Sequence, residues 1–326
     1  MPATSTFTLN TGAQLASVGL GCWMGKPAGA GTPENDETLA MVKNALEAGY
    51  THFDTAAGYG NEEAVGKALR DSGKPRSSFF VTTKVIDHAD VARELDKSLA
   101  KLDIDYIDLF LMHWPLSMDF STGKMTAFGE SPTFSETWAQ MEKLLETHAG
   151  KVKQIGVSNF SVKNLEILLK TAKVVPAVNQ VEAHPYCPQE PLREYCAAKG
   201  IHLTAYCPVG QYDSPILREP LIKDLAAKYG KPGGTILLSW GVQRGFSVVP
   251  KSSNPQRLRA NRDLVELSAS DLAAISSLHL EPHKHRSLCD FGPGLAEPGK
   301  VWGWRIREDL GWEYDVPSRE GAAFRL

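Results

Sequence analysis

Four side chains suited to moving protons stand at or just past the ends of short apolar runs: Asp54, Tyr59, Lys84 and His113. They offer a carboxylate, a phenol, an ammonium and an imidazole. A free phenol titrates at a pH of about 10, too high for rapid proton exchange near neutrality. An ammonium beside it stabilises phenolate, so Lys84 is expected to lower the Tyr59 value. A carboxylate beside the ammonium positions it, and an imidazole can hydrogen-bond a carbonyl oxygen. The set suits proton delivery to an oxygen that becomes an alkoxide. Without a serine or cysteine nucleophile paired to a base, acyl transfer is less natural. Singly, each has a plainer reading. Asp54 can cap a helix, Lys84 can be solvated, His113 before Trp114-Pro115 can be a core histidine, and Tyr59 can simply pack. Joint placement on consecutive strand ends carries the chemical reading.

The elements that must position them follow from the alternation of pattern. TFTLN and AQLASVGLG, joined through Thr11-Gly12, read as a hairpin leading into a strand. Strands are expected at 18–21, 51–54, 79–84, 106–112, 153–157, 178–181, 202–206 and 246–249. Helix-like segments at 36–48, 61–71, 90–102, 133–148, 162–172, 191–200 and 234–245 lie between them, and RLRANRD follows the last strand. Eight short apolar strands, each returning through a helix, predict a closed (β/α)₈ TIM barrel. In that fold the active site lies at the C-terminal ends of the strands, where these four residues stand. Two segments break the rhythm: the connection 114–132 and the Pro-, Gly- and Trp-rich tail 280–326. Long loops in compact domains are more often functional than accidental. One domain is expected over residues 1–326.

The bulk properties exclude several classes. With 326 residues, 42% of them hydrophobic and 22% charged, the chain can bury a large core. A formal net charge of −3 gives no global attraction to nucleic acid or acidic membrane. No apolar stretch is long enough to span a bilayer, and MPATSTFTLN lacks the form of a secretory signal. Five cysteines without a CxxC pair argue against a disulfide framework or zinc knuckle, so a cytoplasmic protein without a metal is expected.

DTAAGYGNEEAVG (54–66), VTTKV (81–85), DYIDLFLMHWP (105–115), KVKQIGVSNF (151–160), PAVNQVEAHPY (176–186) and VVPKSSNPQRL (248–258) together resemble the aldo-keto reductases. The resemblance covers about residues 7–280 in the family's order. It implies NADPH-dependent reduction of a small carbonyl compound, with hydride from nicotinamide C4. It implies a tetrad of Asp54, Tyr59, Lys84 and His113, with Tyr59 as general acid. Ser158, Asn159 and Gln180 resemble the groups that hold the carboxamide, and Tyr206 the aromatic residue that stacks on the nicotinamide. Lys251, Ser252 and Arg257 resemble the 2′-phosphate clamp, and Asn261 an adenine contact. Lys and Arg with hydroxyl support suit a 2′-phosphate on physical grounds also. Trp23, Trp114 and Trp302 resemble lining of the substrate cleft, with Trp302 and Trp304 in a tail that folds over the barrel mouth; packing of the tail against helices is the other reading of those two. The chain departs from the family pattern at Cys22, Cys207 and Ala260, where Thr, Ser and Glu are frequent.

Three motifs are set aside. Gly19-x-Gly21-xxx-Gly25 has the wrong spacing for a dinucleotide fingerprint. Tyr195-xxx-Lys199 falls within a helix and reads as a solvated face, and His283-x-His285-xxx-Cys289 lacks a fourth nearby ligand. A cofactor-binding regulatory or structural barrel is the competing function; the joint presence of Tyr59 and Lys84 favours the enzyme. The resemblance leaves sugar aldehydes, glyceraldehyde, uronates, aromatic aldehydes and activated ketones open as substrates. A monomer or weak homodimer is expected.

Overall fold

A computed structural model describes residues 5–29, 31–119, 122–211 and 213–317. Among these, the barrel strands are Leu20–Gly21, His52–Asp54, Phe80–Val85, Ile107–Met112, Val152–Ser158, Val178–Glu182, His202–Tyr206 and Ser247–Val248. All neighbouring pairs are parallel, and the sheet runs in sequence order from first strand to eighth. The first strand returns to the eighth. Val18 bridges Val248 in parallel, Gly19 N–H donates to Val248 O at 2.9 Å and Gly21 N–H donates to Pro250 O at 3.1 Å. The sheet is therefore a closed (β/α)₈ barrel, as the strand count predicts. Closure needs a glycine at 21, because a Cβ there would stand 2.5 Å from Val249 O.

The hairpin pairs Thr6–Thr8 with Gln14–Ala16 in antiparallel register. Its Leu9 and Leu15 are buried with Leu109, Leu111, Ala177 and Val178 and close the N-terminal end of the barrel. That apolar floor leaves the opposite end as the open mouth.

The returning helices are Pro33–Glu47, Glu62–Asp71, Val91–Leu102, Phe134–Thr147, Val162–Leu168, Glu190–Lys199 and Gly233–Gln243, with Pro255–Arg262 after the eighth strand. Local chemistry starts several of them. Thr133 and Glu136 form a reciprocal capping box before Phe134–Thr147. Asp90, Ser161 and Asn254 each accept from N–H groups of the helix they precede. Two further helices, Pro220–Tyr229 and Ala269–Ser276, lie outside the expected alternation. The 114–132 connection contains a small hairpin, Met118–Asp119 with Lys124–Met125.

The tail has more order than its composition indicates. Lys300–Val301 pairs with Trp304–Arg305, a turn of π-helix covers Ile306–Leu310, and Asn164 Nδ2 donates to Asp309 O at 3.2 Å and Leu310 O at 3.3 Å. Trp304 is buried and its indole N–H donates to Thr126 O at 2.7 Å, so it joins the tail to the 114–132 connection. Trp304 therefore packs on that connection, its ring 5.1 Å from Phe128. Trp302 and Trp304 both line a crevice of about 330 Å³ with Met125 and Glu297, and the Trp302 ring is 6.5 Å from that of Trp114. A larger concavity of about 710 Å³, bounded by Thr6, Val18, Gly49 and Glu266, lies by the hairpin and away from the titratable cluster. The chemistry is at the mouth.

Candidate active site

Asp54 ends the second strand and Lys84 stands one residue before the end of the third. Both point into the barrel and are buried, and Lys84 Nζ donates to Asp54 Oδ1 at 2.6 Å and to Thr55 O at 2.8 Å. Gln180 Nε2, on the sixth strand, donates to Asp54 Oδ2 at 2.6 Å. Each carboxylate oxygen thus has a donor. A buried ion pair survives desolvation only when its remaining valences are met in this way.

Tyr59 is presented by a 3₁₀ turn, Ala57–Tyr59, that ends on Gly60 in left-handed backbone with φ 68°. A Cβ at 60 would stand 2.0 Å from Ala28 O, while Tyr59 O accepts Ala28 N–H at 2.8 Å. Glycine lets these two loops meet. Buried Asn61 fixes the far side: it accepts from Thr55 Oγ1 at 2.7 Å and donates to Cys22 O at 2.7 Å. The phenol ring lies 4.9 Å from Trp23 and 5.6 Å from His113, with Lys84 Nζ 5.1 Å from its centroid. The four residues converge as expected from the strand ends.

Their electrostatic balance differs from the expectation. The Tyr59 phenol is pushed well above its ordinary value by burial, and the negative charge of Asp54 adds to this. Lys84 is already engaged by Asp54, and desolvation of the phenol decides, with the Asp54 charge acting in the same direction. The ring is held as an acid, not as phenolate. His113 is pushed well below the usual histidine range by burial and by the Lys84 charge, and it stands as a neutral imidazole. Its Nδ1 is buried without a protein partner.

Ser158, Asn159, Gln180 and Tyr206 form one connected group beside the tetrad. Ser158 Oγ donates to Gln180 O at 2.8 Å, Asn159 Nδ2 donates to His113 O at 2.9 Å, and Tyr206 OH donates to Asn159 Oδ1 at 2.7 Å. Asn159, in left-handed backbone with φ 66°, links the fourth-strand end to the seventh. Gln180 turns its NH₂ to Asp54, which leaves its side-chain oxygen as the group that an incoming amide donor would meet.

At the barrel's far rim, Ser252 is buried and Lys251 and Arg257 reach solvent on either side of it. Arg257 Nε donates to Ser252 Oγ at 3.3 Å. The Lys251 ammonium is pushed down, first by partial burial and also by the like charge of Arg257, against the pull of Glu37. Two cations crowd the start of helix Pro255–Arg262, whose positive dipole end favours an anion. This donor set fits a phosphate. Asn261 hydrogen-bonds the Tyr50 phenol, whose OH also donates to Leu258 O at 3.0 Å.

Trp114 is buried against Phe291 and Trp312 of the tail, at 5.5 and 5.8 Å between ring centroids, and Trp23 lies beside Tyr59 with the rings tilted by 48°. The Tyr195 and Lys199 pair occupies a helix away from the mouth, with the ammonium 5.7 Å from the ring. Residue type alone does not single out Thr55, Asn61 or Glu182. Glu182, fully buried, accepts from His184, from Ser287 Oγ at 2.6 Å and from Leu288 N–H at 2.7 Å, and so pins the tail to the end of the sixth strand. Its carboxyl is held below its ordinary value because these hydrogen bonds outweigh the opposing effect of burial.

The Aldo/keto reductase family profile matches residues 17–279. The chain is 43% identical over 302 residues to a glycerol 2-dehydrogenase (NADP(+)) of Saccharomyces cerevisiae, covering 87% of this chain and 94% of that one. It is 41% identical over 334 residues to a D-galacturonate reductase of Hypocrea jecorina, covering 98% and 100%. Among solved structures, a Bombyx mori aldo-keto reductase in complex with NADP superposes with a TM-score of 0.78 at 33% identity, over 89% of this chain and 96% of that one. With the barrel, the four converging side chains and these similarities in agreement, the chain belongs to the aldo/keto reductase family.

Proposed function

We propose that the chain is an NADPH-dependent carbonyl reductase that converts aldehydes or ketones of small molecules, sugars among them, into alcohols. The observation that carries this is the buried Lys84–Asp54 pair set beside a protonated Tyr59 and a neutral His113. When bound, NADPH supplies the hydride from nicotinamide C4. Tyr59 gives its phenolic proton to the carbonyl oxygen as charge develops there, and Lys84 with Asp54 holds the ring's surroundings fixed. His113 orients the same oxygen by a neutral N–H donor. Ser158, Asn159 and Gln180 hold the carboxamide and Tyr206 stacks on the ring. Lys251, Ser252 and Arg257 hold the 2′-phosphate, and Asn261 contacts adenine. Trp23, Trp114 and Trp302 line the substrate cleft. NADP in the names of relatives supports the coenzyme. The same reading makes residues 1–326 one domain that acts as a monomer or weak homodimer in the cytoplasm, without nucleic-acid or membrane partners. Among the described residues no helix is long and apolar enough to cross a membrane.

Aldehyde-dependent oxidation of NADPH tests the reading. Coenzyme binding without turnover on a panel of reactive aldehydes would favour a regulatory or structural barrel instead.

The coenzyme choice has its own test. A charge-assisted hydrogen bond contributes about 1.5–3 kcal/mol, or roughly ten- to a hundred-fold in affinity. Arg257→Ala should weaken NADPH binding by about that factor and leave NADH nearly unchanged. The loss should shrink in high salt, because Arg257 is exposed. Fluorescence titration with both coenzymes reads it; equal losses would assign Arg257 to the fold or to adenine.

The pH dependence follows from the raised phenol and the lowered imidazole. Reduction needs protonated Tyr59, and a raised value keeps that proton on as pH rises through neutrality and beyond. His113 stays neutral over the same range because its value is depressed. Single-turnover reduction should therefore stay level between pH values of about 6 and 9. Alcohol oxidation needs the phenolate and should climb throughout that window. A reduction rate that falls away near neutrality would mean that Tyr59 loses its proton there, and would overturn the raised phenol.

A further inference from the structure

We propose that Cys207 and Cys289 form a reversible disulfide that fastens the C-terminal tail to the loop behind Tyr206, with peroxides as the oxidants that drive it. The two residues are 82 apart in sequence, yet their sulfurs lie 2.9 Å from each other. A disulfide bond is about 2.05 Å long, so joining them takes less than one ångström of travel. The other three cysteines, Cys22, Cys187 and Cys196, are buried. Cys22 and Cys187 have partners of their own, Leu20 O and Gln189 Nε2.

Both partners are held where they meet. Cys289 N–H donates to Ser287 Oγ at 3.0 Å and to Glu182 Oε1 at 3.2 Å, within the contacts that pin residues 287–289. Glu182 itself is in register with Tyr206, the residue before Cys207. Cys207 stands in left-handed backbone with φ 48°, and its carbonyl accepts Gly210 N–H at 2.8 Å in the turn that follows. A non-glycine residue held there costs conformational energy and is retained by its surroundings.

The two sulfurs have different tasks. Cys207 is half-buried and meets the oxidant, whereas Cys289 is buried. Burial, with Cys207 and the Glu182 carboxylate beside it, pushes the Cys289 thiol well up and keeps its proton on. Peroxide oxidises Cys207: an S–O bond forms, the O–O bond breaks and one water leaves. Cys289 sulfur then attacks the Cys207 sulfenic acid. The S–S bond forms, the S–O bond breaks, and the Cys289 proton passes by Glu182 to the departing hydroxide as a second water. Two thiols lose two electrons and two protons to one peroxide. The product ties the segment behind Tyr206, whose hydroxyl holds Asn159, to the tail that carries Phe291 and Trp302. Ligands that pass between these segments enter and leave more slowly once they are joined.

The full-length protein treated with hydrogen peroxide, then denatured and alkylated, should show three reactive thiols in place of five. A peptide cross-link between 207 and 289 should appear, and dithiothreitol should return all five. Cys207→Ser and Cys289→Ser should each form no cross-link. A count that stays at five, a different pairing, or sulfinic acid at Cys207 without a cross-link would overturn the proposal. These readouts do not depend on the carbonyl-reductase reading. The turnover arm does: fully cross-linked protein should lose NADPH-dependent turnover and regain it with dithiothreitol, and Cys289→Ser should be insensitive. Unchanged turnover in cross-linked protein, with the untreated enzyme active, would overturn the link between the pair and the mouth.

Discussion

Tyr59→Phe is expected to lower kcat for aldehyde reduction by about 10²–10⁴-fold, the usual contribution of a positioned general acid. The substitution removes one oxygen and little else. The ring contacts with Trp23 and His113, at 4.9 and 5.6 Å, need only the aromatic body. The main-chain bonds of residue 59 to Ala56 and Ala28 do not involve the side chain. Thermal stability and NADPH affinity should therefore stay close to those of the unsubstituted protein. Loss confined to the chemical step distinguishes a proton donor from a residue that shapes the pocket, whose removal would raise KM on some aldehydes and spare others. Near-normal kcat across several aldehydes would place the acid elsewhere.

The barrel was legible because its strands are parallel and buried on both faces, so they read as short apolar runs with no need for alternation. His52–Asp54 and Ile107–Met112 fall where the runs do, and their last residues or the next ones carry the polar groups of the mouth. Helix Pro220–Tyr229 returns to no barrel strand, so a β/α count has no place for it. In the tail, strands of two residues leave no period to detect.

The tail's anchor is hidden for a different reason. Glu182 sits in an ordinary buried strand, and its partner Ser287 stands 105 residues later in a segment without pattern. Only the fold brings them together. The Tyr59 balance is hidden on similar grounds. Residue types disclose a phenol, an ammonium and a carboxylate together, but not that burial governs the phenol. Spacing tells which groups converge; pKa depends on what each has already bonded.

Lys84→Met is expected to damage stability as well as turnover, and the two losses should separate in a double variant. Methionine fills much of the lysine volume but removes both Nζ bonds, to Asp54 Oδ1 and Thr55 O. Asp54, 3% exposed, would keep Gln180 as a donor and lose its counter-charge. Breaking a buried pair from one side typically costs about 3–5 kcal/mol, because an uncompensated charge stays behind. At roughly 2–4 °C per kcal/mol for a chain somewhat smaller than this one, Tm should fall by about 6–20 °C. Lys84→Met combined with Asp54→Asn removes both charges, and Asn can still accept from Gln180. Most of the stability should return, since a neutral buried pair lacks the unpaired charge. Turnover should not return, because proton transfer at Tyr59 still lacks the ammonium and carboxylate that set its surroundings. A single variant as stable as the starting protein would mean that water reaches Asp54. A double variant that regains full turnover would reduce the Lys84–Asp54 pair to a packing element.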